Sequence, residues 1–165
     1  MRVNRDSQRS KVYKAENQVF SFKEEKLETM AQAQLVVNEV INSDYYKSNK
    51  GWKRVKLSDG RGSRRAFYYY DDRRVSLPKG SRMRWVIIHE MAHCLTHKTV
   101  GDDVGHHGSF CTHYANMVSE LIGVDKAREL TKAFRRNKVL YQAQSIIFDD
   151  ECIEDAVSDG QEKAL

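Results

Sequence analysis

The sequence predicts an α+β fold, and three observations carry that prediction. Residues 85–95 are apolar on most sides, as in a buried helix, yet they hold two His and a Glu. Residues 66–70 and 73–77 are short aromatic and β-branched runs separated by Asp71-Asp72, the pattern of two paired strands. Residues 21–42 and 110–122 place apolar side chains at helical spacing.

In chain order, residues 1–14 are polar and basic and read as an arm. Ser21 to about Asn42 reads as a helix. Ser21 with Glu24 fits a capping box, and Leu27, Met30, Ala31, Leu35, Val37, Val40 and Ile41 supply its apolar face. Gly51 to Leu57 is a candidate strand, and 58–63 a turn rich in Gly and Asp. The strands 66–70 and 73–77 complete a small antiparallel sheet. Pro78-Lys79-Gly80-Ser81 breaks the chain before the helix at 85–95. Gly101 to Gly105 forms a loop, Phe110 to Ile122 a second helix, and Asp125 to Asn137 a third with Asp125 as N-cap. Val139–Phe148 reads as a short strand or helix. With 165 residues the chain is expected to be one domain over 1–148, followed by an acidic, disordered tail at 149–165.

The chemistry is concentrated in His89, Glu90 and His93, which spell H-E-x-x-H. On a helix, positions i and i+4 share a face, so both imidazoles reach one metal ion. Glu90 need not bind the metal; it is placed to act as general base toward a water. Two buried His and an acid are costly without partners to satisfy them. The expected cofactor is Zn²⁺, and a catalytic zinc takes three protein ligands. Candidates for the third are His97, His106, His107, His113 and Glu120. His97 lies eight residues from His89, about 12 Å along a helix, too far to join both others. Thr96 and Thr99 stand where a metzincin carries Gly and His, so that pattern is excluded. His106 and His107 follow the turn-rich loop, which returns them to the first helix.

His-Glu-Met-Ala-His, a polar loop, then Gly105-His106 with Phe110-Cys111 resembles the SprT-like or Spartan-type zinc metallopeptidases, whose second motif is Gly-His-Gly-Pro-x-Phe. This chain lacks the Pro, and its Gly108 is displaced. Alignment on Gly105, Phe110 and Cys111 implies His106 as third ligand and is preferred, because it keeps the preceding Gly and the His-to-Phe spacing of one helical turn; alignment on the His-Gly pair implies His107, the alternative. Arg5 to Tyr13 and Leu130 to Arg135 are also similar to a group of small metallohydrolases from actinobacteria and their phages, over most of the chain to about residue 142. The resemblance implies a zincin-like fold and hydrolysis of a peptide or protein, with the substrate lying along the sheet edge. Asp102 and Asp103 are candidates to orient a ligand, and His113 and Tyr68 to Tyr70 to stabilise an oxyanion.

The net charge of +5 is uneven. Residues 47–84 are rich in Lys and Arg, opposed only by Asp59, Asp71 and Asp72, and carry Trp52 and Phe67 to Tyr70. That mixture fits a solvated face or a nucleic-acid surface. It keeps open a nucleic-acid-binding protein with a structural zinc, or a protease acting on DNA-bound proteins. Cys94, Cys111 and Cys152 have no paired spacing, so buried thiols are expected rather than disulfides. No segment reads as a membrane span or signal peptide, which makes a cytoplasmic protein the default expectation.

Overall fold

A computed structural model of the chain describes residues 6–23, 26–101 and 105–147. Within them the architecture is α+β, with six α-helices around a small three-stranded sheet. The helices are α1 (Arg9–Val19), α2 (Met30–Asn42), α3 (Asp44–Ser48), α4 (Arg84–Val100), α5 (Gly108–Leu121) and α6 (Val124–Arg136). The strands are β1 (Lys56–Ser58), β2 (Phe67–Tyr69) and β3 (Arg74–Ser76).

Helix α4 is the axis of the molecule. Every residue from Trp85 to Thr96 is buried, because α2, α5 and strands β2 and β3 pack around it. A helix enclosed on all sides has no need of a polar face, which explains why its apolar run shows little periodicity. It stops at Gly101, whose φ of 97° lies in the left-handed region that a side chain disfavours. Helix α6 closes the far side against α1 and α5.

The N-terminal segment read as an arm holds the start of a structured helix. Val12, Ala15, Glu16 and Val19 form one buried stripe on α1 at i, i+3, i+4 and i+7. Helix α2 starts at Met30, not Ser21. Leu27 N–H donates to the Arg82 carbonyl at 2.8 Å, which ties the preceding segment to the run before α4. The capping box is formed instead by Thr29 and Gln32. The buried stripe of α2 is Ala33, Val36, Val37 and Val40, and Leu35, placed on the apolar face in sequence, is exposed. Asp125 lies in the first turn of α6, and Gly123 takes the cap position.

The sheet is mixed, a departure from the antiparallel arrangement expected. Its order is β1-β3-β2, with β2 antiparallel and β1 parallel to β3. The hairpin through Asp71-Asp72 sets the first pairing. The loop from 59 to 66 carries the chain across β3, so β1 and β2 flank it on opposite sides. Strand β2 is therefore an edge, beside α4. Cys94 and Cys111 are buried free thiols, and Cys152 and the acidic tail lie outside the described residues. Among the described residues no helix is long and apolar enough to cross a membrane.

Candidate metal centre

The i, i+4 spacing on α4 sets the His89 and His93 rings side by side, with centroids 5.1 Å apart. His106 reaches them from the turn before α5. At Gly105 in that turn an added Cβ would lie 2.8 Å from His107 Nε2 and 3.4 Å from Asp6 Cγ, so a side chain there would displace the His107 ring. The Gln8 side-chain amide donates to the His106 carbonyl at 2.9 Å and fixes that turn to the start of α1. One nitrogen from each of the three rings lies within 4.8 Å of the others, and all three residues are buried.

The cluster suits a metal ion in its detail. His89 Nε2 and His106 Nε2 are 3.2 Å apart. Two imidazole lone pairs at that distance repel unless a proton or cation lies between them. Nitrogens about 2.0–2.1 Å from a tetrahedral zinc would be separated by roughly 3.3 Å. The outer nitrogens are occupied. His89 Nδ1–H donates to Glu16 Oε1 at 2.5 Å, and His106 Nδ1–H donates to Asp6 Oδ2 at 2.7 Å. His93 Nδ1 lies 3.5 Å from Tyr70 Oη. Such carboxylate–histidine pairs set the tautomer that leaves Nε2 free to bind. Phe110, one helical turn beyond His106, packs against all three rings and is stacked on His93 at 4.1 Å.

The electrostatics of His93 and His106 suit a metal site, and those of His89 run the other way. Burial, with the His89 and His106 charges, holds His93 well below its ordinary value. Burial and His89 bring His106 down to about 4, against the pull of Asp6. Both are thus neutral at pH 7, the form that binds metal. Burial also works to lower His89, but the Glu16 carboxylate, with smaller contributions from Glu90 and Asp6, holds the ring above its ordinary value, so binding a metal there would release a proton. Glu90 has no ion-pair partner among the described residues, and burial pushes its carboxyl up to about 7, partly offset by His89. That is the range in which a carboxylate works as a general base.

Glu16, Asp6 and Tyr13 were not foreseen. The signal for Glu16 was present: an acid on the apolar stripe of α1 demands a buried partner. Glu16→Gln should keep the fold and weaken metal binding by about 10–100-fold, measured by competition with a chromophoric chelator. Retained affinity would remove Glu16 from the site.

Of the remaining candidates, several sit elsewhere. Glu120 accepts from the backbone N–H groups of Asp44 and Tyr45, at 2.7 and 2.9 Å, and caps α3. His113 is bound to Tyr45 Oη and Thr99 Oγ1. His97 pairs with Tyr68 Oη at 3.1 Å, which also engages that tyrosine. His107 is the N-cap residue of α5 and is not in the cluster. Asp102 and Asp103 lie outside the described residues.

Glu90 and His89 open onto a cleft of about 200 Å³ walled by Tyr13, Phe22, Trp85 and Val86. Tyr13 leans over the centre, its ring 5.1 Å from that of His106 and 5.9 Å from that of His89. No family model matches the chain, and no curated protein or solved structure matches it either.

Proposed function

We propose that the chain is a zinc metallopeptidase of the SprT-like, zincin kind, active in the cytoplasm on a peptide or protein. One observation carries the reading: three buried imidazoles converge, two of them backed by carboxylates, beside a Glu that faces a cleft. A structural zinc takes four protein ligands. The described residues supply three, which supports hydrolysis over a nucleic-acid-binding protein with a structural ion.

His89, His93 and His106 would hold the ion. A zinc ion so held supplies Lewis acidity, lowering the pKa of a water and polarising a carbonyl. Glu90 takes the proton of the attacking water and delivers it to the leaving nitrogen. Glu16 and Asp6 keep His89 and His106 in the tautomer that binds. Tyr13 donates a hydrogen bond from its hydroxyl to the developing oxyanion. Burial, partly offset by Arg9, raises its pKa, so the proton stays in place at neutral pH. Tyr68 and Tyr70 also line the narrow cleft at the cluster, but the Tyr68 hydroxyl pairs with His97 and the Tyr70 hydroxyl lies 3.5 Å from His93 Nδ1.

The test is direct. Purified protein should contain about one zinc per chain and hydrolyse unfolded casein; a chelator should abolish that turnover, and zinc should restore it. Turnover indifferent to chelation would end the reading. Tyr13→Phe should lower kcat by about 10²-fold with zinc content unchanged, the usual cost of one oxyanion donor. An unaltered kcat would exclude Tyr13 from that role.

A further inference from the structure

The cleft continues past the metal cluster along the outer edge of β2. A narrow part of about 70 Å³ is bounded by Tyr13, Glu90, His93 and His106. It leads into a wider part of about 400 Å³ walled by Arg9, Arg64, Arg65, Phe67 and Tyr69. Tyr13 and Ala66 border all three parts, and Arg65 borders both the apolar and the basic cleft, so the three adjoin as a groove around Tyr13.

The two ends of this groove differ in chemistry. At one end Phe22 and Trp85 form an aromatic wall with ring centroids 5.2 Å apart, and Trp85 is backed by the buried Phe20 ring, stacked on it at 5.2 Å. At the other end Arg9 and Arg65 sit 5.6 and 5.8 Å from the Tyr13 ring centroid, with Arg64 beside them. Arg61, Arg74, Arg84 and Arg128 each have a carboxylate partner. Among the described residues Arg9, Arg64 and Arg65 are in no ion pair. The nearby Asp6 is already engaged, accepting from His106 Nδ1–H and from the Arg9 backbone N–H. Guanidinium groups gathered in a concave wall match a carboxylate, which they bind in bidentate fashion.

We propose that this groove selects a peptide with an acidic side chain on one side of the scissile bond, held by Arg9, Arg64 and Arg65. A large apolar side chain on the other side fills the Phe22–Trp85 cleft. The inference rests on the hydrolytic reading for its scissile bond, but the recognition is separable from it. A carboxylate is favoured over a nucleic-acid phosphate because the arginines wall a short pocket at the site, whereas a nucleic acid needs a basic track along its backbone.

The test uses zinc-loaded protein and peptides with a central Leu-Glu or Glu-Leu pair, beside versions with Ala or Lys for Glu and Ala for Leu. Mass spectrometry gives kcat/KM at each bond. Binding of the same peptides, fluorescein-labelled, to the Glu90→Gln protein is followed by anisotropy. The acidic peptide should exceed its Ala version by at least about tenfold and its Lys version by more, consistent with a charge-assisted contact. In the Arg64→Ala, Arg65→Ala protein that ratio should fall toward one, and Arg65→Glu should turn the preference toward Lys. Cleavage without acidic preference, or a preference that survives both variants, overturns the proposal and leaves the hydrolytic reading standing. Arginine-dependent binding of the acidic peptide with no cleavage supports the recognition and sinks the hydrolytic reading instead. A single-stranded oligonucleotide that displaces the acidic peptide at lower concentration than the unlabelled peptide itself, through the same arginines, also overturns it.

Discussion

Glu90→Gln should remove turnover, by about 10³-fold or more, while the protein keeps its zinc. Proton transfer by a positioned side chain is worth about 10²–10⁴-fold, and an amide cannot accept the proton. The metal should stay because the cluster is His89, His93 and His106, with Glu90 outside it. The substitution also separates chemistry from folding. Glu90 is only 6 % exposed, and burial lifts its carboxyl from 4.5 to about 7. A carboxyl whose pKa is raised on folding binds protons more tightly in the folded state. Its ionised form therefore destabilises the metal-free fold above pH 7, and the penalty fades as the pH falls from 7 toward 4.5. In chelator at pH 8, the Gln variant should melt no lower than the wild type, and that advantage should shrink on acidification. Loss of activity together with a lower melting temperature and lost zinc would instead mark Glu90 as structural.

The inner part of this centre was readable because the chemistry demands fixed spacing on one element. His89, Glu90 and His93 lie within five residues of a single helix, so period alone places them. His106 was narrowed to a pair with His107, because a loop residue obeys no period; Gly105 and Phe110 bracketed it. The structure separates the pair through packing that no local pattern encodes. His106 turns inward onto Asp6, while His107 occupies the N-cap position of α5 with its ring over Gly105. The carboxylates behind the clustered imidazoles were harder to see. Asp6 and Glu16 lie 100 and 73 residues from their imidazoles, and only the packing of α1 brings them there. The polar, basic character of residues 1–14 also masks the buried stripe of Val12, Ala15, Glu16 and Val19, which begins inside that segment. The sheet shows a similar limit. The β2–β3 hairpin is local and was legible, but the crossing of β1 to the far side of β3 depends on a long loop. Helix α2 was extended too far because Leu27 suits an apolar face, although its N–H is spent on Arg82.

His106→Ala should lose the metal, and His107→Ala should keep it. Loss of a group that only orients a ligand costs about 10–100-fold in metal affinity, so loss of a ligand itself should exceed about 100-fold. Two histidines on α4 cannot hold zinc against a chelator of moderate strength. The packing around the lost ring adds to the effect. Asp6 loses the Nδ1–H it accepts from, and Phe110 and Tyr13 lose the ring they touch. The metal-free His106→Ala protein should therefore unfold at lower temperature than the metal-free wild type, and added zinc should no longer raise its melting temperature. His107→Ala removes a half-buried ring lying over Gly105 and leaves the three clustered nitrogens intact, so its zinc content and its thermal response to zinc should match the wild type. Elemental analysis after dialysis reads the first difference and a melting series in zinc reads the second. Zinc retained in His106→Ala but lost in His107→Ala would mean that the turn before α5 presents the other imidazole, and the His106–Asp6 pair would then have to be a structural contact rather than part of the centre.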